Sequence, residues 1–139
     1  MSWFYVAESD VTDPESSSTR KTVRIDGNTV STTDELFDCL SQYLEFPNYF
    51  GRNWSALEDC LGDLQWLGTN VITVIWFQCR TYFLKNPEDF LTFLDVFENS
   101  ASWHKQVGGD LRLILSDDYL YRVSLALKNA TLSNENNHQ

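Results

Sequence analysis

The residues of this chain best able to do chemistry are carboxylates gathered in its first half. Between Asp34 and Asp63 the acids are Asp34, Glu35, Asp38, Glu45, Glu58, Asp59 and Asp63, and the only base is Arg52. More than half of the formal net charge of -10 therefore sits in one stretch. A carboxylate on a rigid helix accepts hydrogen bonds from cationic side chains of a partner. With aromatics beside it, such a helix suits the core and rim of a protein interface. The ordinary alternative for a charge run is a solvated helix face. Catalysis finds less support. Nucleophile, base and oxyanion donor must converge, and the only histidines are His104 and His138. A dyad of Asp59 with His104 is the one pairing left to consider. No Gly-x-Ser-x-Gly, P-loop, Cys-x-x-Cys or His-x-x-x-His occurs, and no cluster has metal-ligand spacing, so neither metal nor cofactor is expected. Cys60, on the apolar side of its helix, reads as a small buried hydrophobe.

The elements that must position these groups follow from hydrophobic period and punctuation. Residues 22–25 alternate as a strand does, and Asp26-Gly27-Asn28 is turn chemistry. Thr32-x-x-Glu35 forms a capping box ahead of Leu36, Phe37, Leu40, Tyr43 and Leu44, which predicts a helix over 33–44. Pro47 and Gly51 break the segment 46–52 into a loop, where one of Tyr49 and Phe50 is buried and the other exposed. Asn53 can cap a second helix through Leu61, with Trp54, Leu57 and Leu61 inward, Ser55, Glu58 and Asp59 outward, and Gly62 placed to end it. The β-branched and aromatic run 71–77 reads as a central strand covered on both faces. Asn86-Pro87-Glu88 opens a helix through Phe97 with Phe90, Leu91, Leu94 and Phe97 inward, and Gly108-Gly109-Asp110 turns into a strand over 111–115. Trp54 and Trp76 are expected in the core.

Around this body, residues 3–7 are compatible with a short strand, 9–18 read as a flexible connection, 117–128 as a helix, and 134–139 as a polar, disordered tail. The expected division is an N-terminal extension 1–20, a domain 21–116 and a C-terminal extension 117–139. The aromatic share of 14% argues for a folded core, and 139 residues for one domain. An acidic field repels phosphate backbones and anionic lipid, so nucleic acid and membrane are excluded as partners and a basic protein is favoured. Absence of a secretory leader, of a long apolar run and of paired cysteines points to the cytoplasm.

The stretch Pro47-Asn48-Tyr49-Phe50-Gly51-Arg52-Asn53-Trp54-Ser55-Ala56-Leu57-Glu58-Asp59-Cys60-Leu61 resembles the barstar family, whose hallmark is Pro-x-Tyr-(aromatic)-Gly-x-Asn-x-x-Ala-Leu-x-Asp-Cys-Leu. The resemblance extends to residues 23–28, to Trp76, and to Gly108-x-Asp110 with Leu113-Ile114-Leu115-Ser116, so it spans about 21–116. It implies a barstar-like α/β domain with a small three-stranded, mostly parallel sheet packed with helices. It also implies a stoichiometric inhibitor that occludes the active site of a basic ribonuclease or related nuclease toxin in a 1:1 complex. The partner-binding residues it implies are Tyr49, Asn53, Trp54, Ser55, Glu58, Asp59, Gly62, Asp63 and Leu64, with Asp59 as the family aspartate that enters the nuclease's phosphate site. A further acidic contact of the family falls on Asn99, with Glu98 adjacent. Ser55 stands where the best-known member has a second aspartate, and Glu58 and Leu64 where it has tryptophans. These departures point to a different cognate toxin. A non-inhibitory module of the same fold, binding another basic partner, is the alternative.

Overall fold

The computed structural model describes residues 3–6 and 19–136. Among these residues four parallel strands form one sheet: β1 (Trp3–Val6), β2 (Lys21–Asp26), β3 (Val71–Phe77) and β4 (Asp110–Ser116), in the spatial order β1-β4-β3-β2. The three strands expected within the domain are all present. β1 adds to them by pairing with the outer edge of β4, Trp3 opposite Leu113 through Val6 opposite Ser116. Ala7 and the connection 9–18 lie outside the described residues.

The central run 71–77 behaves as its composition predicts. Ile72, Val74 and Trp76 are buried in the main core, and Ile75, whose side chain points to the other face of the pleat, is buried as well. Trp76 packs against Tyr82, Phe90 and Phe93 with ring centroids 5.3, 5.9 and 5.5 Å away. Gly27 is required where the turn after β2 passes β3, because a Cβ there would collide with the Phe77 and Gln78 carbonyl oxygens.

Among the described residues five α-helices join the sheet: α1 (Thr33–Tyr43), α2 (Trp54–Asp63), α3 (Arg80–Lys85), α4 (Pro87–Gln106) and α5 (Asp118–Asn136). α1 starts at its capping box, where the Thr32 hydroxyl accepts from the Glu35 amide. The Glu35 carboxylate accepts in return from the Ser31 and Thr32 hydroxyls and the Ser31 amide, which holds its pKa below the usual range.

Several local expectations need correction. Gly62 does not end α2: the helix runs to Asp63, and Leu64 takes the left-handed position at φ 52°. α4 continues past Phe97 to Gln106, because Ser100, Ala101 and His104 extend its buried face. Phe93 occupies that face, and Leu91, expected inward, is 58% exposed. Asn86 stands at the helix start, but its side-chain amide donates to the Ser31 carbonyl instead of capping. The short helix α3 was not legible in the sequence, and α5 extends to Asn136, through the first half of the predicted polar tail. Residues 137–139 lie outside the described residues.

Candidate functional site

The loop between α1 and α2 is built on an aromatic cluster. Phe50 meets Phe37 at 5.7 Å and Phe46 at 5.0 Å, edge to face, while Phe37 meets Trp54 at 5.1 Å and Phe46 meets Trp66 at 6.3 Å. Phe50 is thus the inward aromatic of the pair, and Tyr49 is left 76% exposed. Trp66 donates its indole hydrogen to the Leu44 carbonyl at the end of α1, 2.7 Å away. Arg52 adopts φ 53°, unusual for a residue with a side chain, and its guanidinium binds Asp38 at 2.6 Å and Asp34 at 3.5 Å. The single base of the acidic stretch is therefore committed to α1.

Asn53 caps α2 as the spacing predicts, its side-chain oxygen accepting from the Ala56 amide at 2.7 Å. Leu57, Cys60 and Leu61 are buried, Trp54 packs against the core, and Ser55 and Asp59 face outward with Glu58 half-buried. The far end of α2 is fastened by α4. His104, 4% exposed, donates from Nε2 to the Leu61 carbonyl at 2.7 Å, which satisfies a carbonyl that the helix end leaves without an amide. One turn earlier the Ser100 hydroxyl lies 3.3 Å from the Glu58 carbonyl and 3.0 Å from that of Val96. His104 thus binds backbone, and the dyad with Asp59 gives way to a positioning contact. Its signal in the sequence was a polar pair, Ser100 and His104, four residues apart on a buried helix face.

Between α2 and α4 lies an open groove of about 510 Å³. Glu58, Asp59, Gly62 and Asp63 line it from α2, and Asn99, Ser100 and Trp103 from α4. It continues past Gly62, Asp63 and Trp103 into a second hollow of about 680 Å³ reaching Asn70 and Val107. Among the described residues no Lys, Arg or His nitrogen comes within 4.0 Å of the Glu58, Asp59 or Asp63 carboxylates, so this wall carries uncompensated negative charge. A Cβ on Gly62 would find only the Trp103 ring, at an ordinary 3.9 Å, and the residue has no left-handed φ. The fold does not require glycine there, although glycine inside a helix costs about 0.5–1 kcal/mol relative to alanine.

The structure therefore brings Glu58, Asp59, Gly62 and Asp63 together on one groove, with Ser55, Asn53 and Tyr49 on the exposed loop and helix start before it. Three expected contacts are placed elsewhere, Trp54 being packed against the core beside Phe37. Leu64 is 1% exposed, its side chain packed into the core, so it offers no side-chain surface to a partner. Glu98 is half-buried, and it is its neighbour Asn99 that lines the groove. Trp103, 55% exposed on the opposite wall, was missed: a tryptophan on a helix reads as core until the helix's buried face is known.

No helix among the described residues is long and apolar enough to cross a membrane, and no group of three or more His, Cys, Asp or Glu there could hold a metal ion. The arrangement offers cation recognition: acids without an ion-pair partner on one wall, a tryptophan on the other, and hydrogen bonds from Ser100 and His104 joining α4 to the α2 backbone. A parallel α/β domain that presents an acidic helix beside an aromatic loop is the class that fold and surface define. The family model described as Barstar (barnase inhibitor) matches residues 20–116, and this chain belongs to the barstar family. It is also similar to "Putative ribonuclease inhibitor YrdF" of Bacillus subtilis (strain 168), 32% identical over 96 residues that cover 66% of this chain and 93% of that protein.

Proposed function

We propose that this chain is a stoichiometric protein inhibitor that binds a ribonuclease or related nuclease toxin 1:1, occludes its active site, and does so in the cytoplasm of the cell that makes it. The observation that carries this reading is the exposed, unpaired Asp59 carboxylate on a helix fastened at both ends, within the segment matched by the family. A nuclease holds phosphate with Arg, Lys and His, and a rigid carboxylate can accept from the same groups. The inhibitor acts by blocking access, so no group of its own need perform catalysis. The name of the Bacillus subtilis relative points the same way. We assign this role to the domain 21–116.

The test is neutralisation of a panel of ribonucleases, barnase among them. Asp59→Ala should stay folded by circular dichroism and weaken the complex by about 2–5 kcal/mol, because the partner's cations lose their counterpart. Glu58→Ala and Asp63→Ala should lose less and act mainly on the association rate. A folded Asp59→Ala that binds as tightly as the parent, while a neighbouring variant fails, would place the site elsewhere. Tight 1:1 binding that leaves the nuclease active would favour the alternative, a non-inhibitory module.

A further inference from the structure

The groove between α2 and α4 holds three features that solvation of an acidic helix does not explain. Trp103, more than half exposed, lines the same groove as Asp59 and Asp63. Gly62, inside α2, leaves the floor in front of that ring open where a side chain would fit the backbone without strain. Ser100 and His104, the buried residues of α4 on either side of Trp103, bond to the α2 backbone and fix the distance between the walls. An exposed indole, a floor without a side chain and carboxylates without an ion-pair partner are complementary to one kind of side chain.

We infer that this groove is a slot for a single arginine side chain of the partner protein, with Trp103 as the residue that selects it. This rests on the reading of the chain as an inhibitor of a basic protein, and it names what that protein must insert. The guanidinium plane stacks on the Trp103 ring, while its N–H groups donate to the carboxylates of Asp59 and Asp63. Asn99 adds an amide able to accept a further N–H. Lysine satisfies the charge but not the plane: its ammonium is compact and more strongly hydrated, so the stack favours arginine.

The experiment titrates the intact protein with acetylated, amidated tri-arginine and, separately, tri-lysine. Binding is read from the indole N–H resonance of Trp103, assigned by its loss in Trp103→Phe. The two peptides carry the same charge, so any general attraction to an acidic protein is common to both. Tri-arginine should bind at least about threefold more tightly, within the range of an exposed cation–aromatic contact. Trp103→Ala, followed through the Gly62 amide, should abolish the preference, and Trp103→Phe should keep part of it. Gly62→Val, which fills the floor, should abolish it too, with circular dichroism confirming the fold. Equal response to both peptides, or a preference unchanged in Trp103→Ala, would overturn the slot. Should the preference hold while no nuclease is inhibited, the slot stands and the functional reading falls. Inhibition without any arginine preference gives the reverse.

Discussion

At the scale of single residues, the structure separates side chains that sequence spacing could not. Tyr49 and Phe50 are adjacent aromatics in a loop without periodicity, and only contacts with Phe37 and Phe46 decide which one turns inward. Leu64 illustrates the opposite case. Its position in the family pattern suggested a surface contact, yet an apolar side chain at a left-handed helix end packs back onto the core. The three cysteines are a residue-scale test of this packing. Burial is the main cause that raises each thiol pKa, that of Cys79 to about 12, with neighbouring carboxylates adding to it. Since the thiolate is the reactive form, a disulfide reagent at pH 8 should modify native protein slowly, at Cys39 first, with Cys60 and Cys79 reacting only on unfolding. Rapid modification of Cys79 in native protein would contradict the packing. Raising the pH should speed the reaction of Cys39, because its thiolate fraction rises.

Elements carry the site through the fastening of α2. Asn53 satisfies an amide at its start and His104 a carbonyl near its end, so the acidic face is held at two points, Asn53 and Leu61, about two turns apart. Asn53→Ala should lower stability by about 1 kcal/mol, the usual loss of a side-chain cap. His104→Ala leaves the Leu61 carbonyl buried without its donor and should lower stability by about 1–3 kcal/mol, measured by denaturant unfolding. Inhibition at saturating concentration should survive His104→Ala below its unfolding temperature, because the imidazole positions α2 and does no chemistry. How much was legible follows the same division. α1, α2 and β3 were readable because caps, turns and hydrophobic period are local signals. The full length of α4 and the exposure of Trp103 were not, since they depend on which face of α4 meets α2 and the sheet. The acids of the groove were readable as residues, but of its second wall only Asn99 was, through the resemblance.

For the whole molecule, charge and topology set the expectations. A net charge of -10 with unpaired acids concentrated at one groove should speed encounter with a basic partner. The association rate should fall steeply with added salt, which shortens the reach of charge to about 8 Å at physiological ionic strength, while the dissociation rate changes little. Stopped-flow rates that stay flat across a salt series would refute steering. The topology adds a matter of timing. β1 lies far ahead of its partner β4 along the chain, so Trp3 must wait for Leu113. Pairings so distant along the chain form slowly, after the β2–β3–β4 sheet has gathered. Pulse-labelled refolding should therefore show β1 amides acquiring protection last. Until they do, the nascent chain carries a bare β4 edge able to capture a second chain, so the window of vulnerability to aggregation closes only when the first strand finds its seat.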